Sequence, residues 1–231
     1  SPSETETPGK PAPVVPVEMA PLRQAPSPRR LPLLAKLAFA GLVTAGAVVG
    51  GLLHLQGLFA VRSHPVPFKH PTALVWVGSE LWVSDWFDQA IYLMALEKGK
   101  LSVRQRYALP GSHVTGLAVD GSTLYLADSW KKEISKYRVG RELALEASWP
   151  SPGPNPSALS LDGKYLWSGD AGTNSIYRHA VDESLTVLNA YPVSFSPVCL
   201  EKDGGRFWSA GSDSRMVLRL NERMGLSEAF V

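Results

Sequence analysis

One pattern recurs four times in the C-terminal two-thirds of the chain, and no other feature constrains the fold as tightly. The segments "GSELWVSDWFDQAIYL" from Gly78, "GSTLYLADSWKKEISKY" from Gly121, "GKYLWSGDAGTNSIYR" from Gly163 and "GGRFWSAGSDSRMVLRL" from Gly204 superimpose at intervals of 43, 42 and 41 residues. Each carries an apolar-aromatic pair at one place: Leu81/Trp82, Leu124/Tyr125, Leu166/Trp167 and Phe207/Trp208. Nine residues after the aromatic stands Ile91, Ile134, Ile176 or Val217. An apolar run precedes each turn glycine ("TALVWV", "TGLAVD", "SALSLD", "PVCLEKD"), and strand-like segments such as "LSVRQRYAL" and "ALEASW" follow. Every unit therefore reads as four short antiparallel strands joined by tight turns.

A period of this length with four strands per unit is the signature of blades set around an axis, so the expected fold is all-β, a four-bladed β-propeller over 71–231. The blades are expected at about 71–110, 113–150, 155–194 and 196–231. Ala73, Gly116, Ala158 and Cys199 stand five residues before the turn glycines, small side chains suited to strands crowding a narrow axis. Each blade draws its strands from consecutive sequence, and the expected arrangement is a closed four-bladed ring held by side-chain packing of the fourth blade on the first. Two chains sharing one larger ring, or a partner on the exposed ends, are the alternatives.

The repeat resembles NHL-type and related propeller repeats, most clearly in "LYLADSWKKEI" and "LWSGDAGTNSI", over residues 70–231. That resemblance implies the fold; propellers of this kind serve as lactonases, cyclases, docking modules and scaffolds alike. Two departures stand out. The turn Asn appears only as Asn174, and in the fourth unit Gly211 replaces the acid, with Asp213 two places along. The recurring Asp85, Asp128 and Asp170 are expected to hold turns by accepting backbone N–H bonds, because a repeated acid points to a repeated structural task.

Residues 1–34 hold nine prolines and no aromatic residue, which suits a disordered arm with polyproline-II character. The uncharged run Leu37–Leu53, extended to Val61, is long enough for one transmembrane helix over 35–61, followed by a linker over 62–70. Arg23, Arg29, Arg30 and Lys36 precede it, so the expected placement is the inner membrane of a bacterium with a cytoplasmic N-terminus and a periplasmic propeller. Gly41, Ala45, Gly46, Gly50 and Gly51 offer a small-residue face for packing against integral membrane proteins.

Lys plus Arg total 23 against 21 Asp plus Glu, and this near balance gives no case for nucleic acid. The chain contains no nucleophile elbow, phosphate loop, zinc-protease helix or dinucleotide fingerprint. The lone Cys199 has no identifiable activating base and reads as a packed thiol.

Two groups of candidate site residues share one face of the wheel. The loop between the second and third strands, on the same side as the blade connectors, carries Trp86, Phe87, Trp130, Lys131, Lys132 and Arg215. Aromatics beside cations in turns are the composition of a partner-binding surface. Eight residues before the glycines, His70, His113, Asn155 and Ser196 form a polar ring at the channel mouth, a site for a small ligand. In lactonase-like propellers carboxylates near the axis hold a metal; here the aligned positions are small or apolar, so no metal or cofactor is expected. The expected function is a non-enzymatic accessory subunit of an inner-membrane assembly. The alternative is an anchored lactonase- or cyclase-like enzyme working at the channel mouth.

Overall fold

The computed structural model describes residue 44 and residues 48–51, 63–213 and 215–231. The chain divides into two compact units, Ser1–Arg62 and Ser63–Val231. In the first, Thr44 and residues 48–51 are helical, with Gly50 and Gly51 exposed. The rest of the expected arm and helix, including Gly41, Ala45 and Gly46, lies outside the described residues. No helix among the described residues is long and apolar enough to cross a membrane.

The second unit contains sixteen strands in four antiparallel sheets, each built from four consecutive strands. Blade 1 comprises β1 (Pro71–Val77), β2 (Glu80–Asp85), β3 (Ala90–Glu97) and β4 (Lys100–Ala108). Blade 2 comprises β5 (Val114–Asp120), β6 (Thr123–Asp128), β7 (Glu133–Val139) and β8 (Leu143–Pro150). Blade 3 comprises β9 (Pro156–Leu161), β10 (Tyr165–Asp170), β11 (Ser175–Ala180) and β12 (Val187–Pro192). Blade 4 comprises β13 (Pro197–Asp203), β14 (Arg206–Gly211), β15 (Val217–Leu220) and β16 (Leu226–Phe230). This is the four-bladed, all-β propeller that the repeat predicts.

The repeat places the core between blades. Trp82 and Ile91 of blade 1 are buried with Leu117 and Leu124 of blade 2. Tyr125 and Ile134 of blade 2 meet Leu159 and Leu166 of blade 3, and Trp167 and Ile176 of blade 3 meet Leu200 and Phe207 of blade 4. The same four repeat positions thus make every interface, two from each side. A buried aromatic and Ile together remove enough apolar surface to stabilise each contact by roughly 3–6 kcal/mol.

A bulge adds a second link. In each innermost strand one residue is skipped by the ladder: Thr72, Thr115, Ser157 or Val198. A residue freed from the ladder can turn its side chain towards the adjacent blade. Thr72 Oγ1 donates to the Val114 carbonyl at 2.6 Å, Thr115 Oγ1 to that of Pro156 at 2.7 Å, and Ser157 Oγ to that of Pro197 at 2.5 Å. These strands lie so close that a Cβ on Gly116 would stand 2.8 Å from the Leu159 nitrogen, which accounts for the small residues expected at the axis.

The expected closure of blade 4 on blade 1 is not formed: among the described residues no buried cluster joins them. Val198, the fourth bulge residue, has no hydroxyl to donate. Cys199 is exposed and lines the axial cavity rather than being packed.

Candidate functional site

The three recurring aspartates build the face that carries the candidate residues. Asp128, buried at the end of β6, accepts from His113 N at 2.9 Å through Oδ2, and from Trp130 N at 3.0 Å and Lys131 N at 2.9 Å through Oδ1. One carboxylate therefore fixes both the start of the innermost strand and the turn after the second. Asp85 does the same in blade 1, accepting from Lys69 N and His70 N on one oxygen and Phe87 N and Asp88 N on the other. Burial alone would raise its pKa, but these four backbone donors favour the charged form and bring it below the usual carboxylate value. Asp170 grips Asn155 N, Gly172 N and Thr173 N in blade 3. In blade 4, where Gly211 stands, a backbone bond from Ser212 N to the Ser196 carbonyl at 3.1 Å still ties the two loops.

Each turn then needs a residue with positive φ, supplied by Gln89, Lys132, Asn174 and Arg215 at φ between 46° and 57°. Asn174 is the side chain that tolerates this conformation most readily.

These clamps bring the two sets of sequence candidates together in blades 1 and 2. His70 packs on Phe87 at 4.3 Å between ring centroids, Phe87 on Trp86 at 5.1 Å, and Trp86 on His113 at 4.5 Å. His113 stacks on Trp130 at 3.7 Å, and Trp86 meets Trp130 edge-on at 5.5 Å. The imidazole of His113 is held between two indoles. It is 7% exposed, and its Nδ1 is buried with no hydrogen-bond partner among the described residues. Such an atom is costly to leave unpaired. Phe87 and Trp130 remain 65% exposed and form the outer walls. Lys131 Nζ reaches back to the Ser112 hydroxyl at 2.9 Å, placing a cation beside the His113 backbone.

The rest of the expected ring does not join this cluster. Asn155 is exposed, and the Ser196 hydroxyl donates to the Ala171 carbonyl at 3.2 Å. Lys132 and Arg215 are exposed in their turns, where each supplies backbone conformation. The pairing of the two imidazoles with the loop aromatics was not legible in the repeat, because ring contacts across blades depend on blade twist. Among the described residues, no group of three or more His, Cys, Asp or Glu side chains is placed to hold a metal ion.

Beneath this face the innermost strands line a cavity of about 600 Å³, mostly apolar, with Ala73, Val75, Leu117, Leu159 and Leu200 among its walls. Cys199 and Glu201 supply its polar atoms on the blade 4 side. Although Cys199 is open to the cavity, the apolar surroundings still desolvate its thiol and push the pKa up, which makes it a poor nucleophile at neutral pH.

No family model matches the chain, and no curated protein does. Solved structures do. The chain is similar to the Myxococcus xanthus glutaminyl cyclase, with 19% identity over 72% of this chain and 74% of that one, at a TM-score of 0.59. It is also similar to a streptogramin B lyase (18% identity, 72% of this chain and 56% of the other, TM-score 0.52). The Staphylococcus aureus virginiamycin B lyase matches in the same way (15% identity, 74% and 59%, TM-score 0.52). The chain spans little more than half the length of these two lyases. At these identities the likeness shows the propeller fold, without singling out NHL-type repeats. The expectation of a non-enzymatic accessory subunit is corrected here: the propellers named above are a cyclase and two lyases, and the enzyme alternative is taken up below.

Proposed function

We propose that this chain is a propeller enzyme carrying out a cyclase- or lyase-type reaction at the aromatic-imidazole cluster of blades 1 and 2. The observation that carries this reading is His113, enclosed between Trp86 and Trp130 with a buried ring nitrogen that meets no partner among the described residues. Ring closure and elimination both require a proton to leave one atom of the substrate, and a positioned imidazole is the side chain best matched to that transfer near neutral pH. His113 is assigned as the general base. Lys131 stabilises negative charge that develops as the proton leaves, and Trp86, Phe87 and Trp130 form apolar walls that orient the substrate and thin the water around the base. His70, at the far end of the cluster, is the second proton carrier.

The test uses the purified chain with two probe substrates, a peptide with an N-terminal glutamine and a streptogramin B antibiotic. Turnover of one is expected, falling by roughly 10²–10⁴ in His113→Ala, the range a general base contributes. Trp130→Ala should lower kcat/KM mainly through KM. Turnover of neither substrate, or turnover that survives His113→Ala, refutes the assignment.

A further inference from the structure

The edges of the four-bladed arc carry the two halves of an interface that the chain already builds three times. On the leading side of blades 1, 2 and 3 stand Trp82, Tyr125 and Trp167, each followed by an Ile; Ile91, Ile134 and Ile176 are fully buried at 0% exposure. The fourth pair is Trp208 and Val217, and Val217 is 49% exposed while Trp208 is half-buried. On the trailing side, Leu117, Leu159 and Leu200 are buried, whereas their counterpart in blade 1, Leu74, is 69% exposed. Leu124, Leu166 and Phe207 are buried as well, and the corresponding Leu81 is half-buried.

Blade 1 thus presents the trailing half that accepts an aromatic and a β-branched side chain, and blade 4 presents the leading half that supplies them. The remainder of the blade 1 face is covered by the chain itself: Phe68 packs on Tyr92 at 5.2 Å beside buried Val83 and Met94. The uncovered part is therefore confined to the axial end, around Leu74 and Trp76, the level at which the bulge residues join other blades. The Pro71 carbonyl, equivalent to the acceptors of Val114, Pro156 and Pro197, receives no such bond among the described residues, since the fourth bulge residue is Val198.

We propose that the occupant of these edges is a second copy of this chain, joined head to tail: blade 4 of each copy packs on blade 1 of the other, giving a closed eight-bladed wheel with two equal seams. A head-to-tail contact repeated around an axis closes a ring, and eight blades lie within the range that propellers adopt, whereas three copies would make twelve. The occupant is argued from complementarity that the chain displays internally at three interfaces, with Trp208 and Val217 in place of Trp167 and Ile176, and Leu74 and Leu81 in place of Leu200 and Phe207.

Native mass analysis of the full chain under mild conditions tests this. Twice the 25.0 kDa chain mass is expected. Val217→Arg and Leu74→Arg replace exposed side chains, so each variant keeps its fold, checked by circular dichroism, and each loses the dimer by at least tenfold in dissociation constant. Mixing the two variants restores one sound seam, blade 4 of the Leu74→Arg copy on blade 1 of the Val217→Arg copy, and recovers a mixed dimer. Val198→Thr supplies the missing donor to the Pro71 carbonyl at both seams and tightens the dimer about 5- to 150-fold, as expected for two added hydrogen bonds. A monomeric wild-type chain, a dimer that persists in both single variants, or no recovery on mixing would each overturn the proposal.

Discussion

Replacing Asp128 by Ala removes one side chain from three backbone donors at once. His113 N lies in a buried strand start, whereas Trp130 N and Lys131 N lie in an exposed turn where water can substitute. A buried donor left unpaired costs about 1–3 kcal/mol, and loss of a bond to a charged acceptor in the turn costs less because hydration recovers part of it. The total is about 3 kcal/mol. For a unit of this size 1 kcal/mol corresponds to roughly 2–4 °C, so the melting temperature should fall by about 6–12 °C. Asp128→Asn is the sharper variant: its amide can accept at one end only, and an N–H pointed at His113 N places donor against donor. Chemical denaturation gives the stability, and amide hydrogen exchange at His113, Trp130 and Lys131 reports which bonds opened. A loss under about 1 kcal/mol with protection at His113 unchanged would refute the account of one carboxylate holding both loops.

Three further outcomes are expected. Asp162 is held at a pKa of about 2, against the lifting effect of burial, mainly by the Lys202 ammonium at 2.6 Å and by the Trp167 indole N–H, a link between blades 3 and 4. A depressed carboxylate stabilises the fold above its unfolded pKa and loses that contribution as pH falls through the folded one; unfolding titrations should show stability dropping between about pH 4 and pH 2, by about 2 kcal/mol, and a flatter slope in Asp162→Asn. Lys132→Asn relieves a positive φ at a turn where Asn174 already shows the preferred residue, and should raise stability by about 0.5–1 kcal/mol in denaturant melts. Gly116→Ala forces a methyl to 2.8 Å from the β9 backbone and should cost about 1–3 kcal/mol, with a lowered melting temperature as the readout.

The blades were legible because their determinants are local. Turn glycines, period-2 apolar runs and the aromatic nine residues before an Ile set hairpins within one unit, and the four units agree with one another. The turn-holding task of Asp85, Asp128 and Asp170 followed from repetition for the same reason. What lay hidden depends on the angle between sheets. Four identical-looking units say little about whether the fourth meets the first, and Val217 aligns with Ile134 in sequence although one is exposed and the other buried. Likewise His113 aligned with Asn155 and Ser196 as a ring position, yet its partners, Trp86 and Trp130, come from the loops of two blades. The bulge residues escaped notice because Thr and Ser are ordinary in strands; only the skipped register shows why their hydroxyls leave the sheet.

Because Asp170 seats Asn155 and the Gly172–Thr173 turn with the same footing that Asp128 gives His113 and the Trp130–Lys131 turn, a loop from one unit can be transplanted to another without rebuilding its mount. The side chains carried on this rim are then interchangeable cargo on a standard socket. A protein of this kind can gain, lose or relocate a working station by exchanging a handful of codons, while the hub beneath it stays as it was.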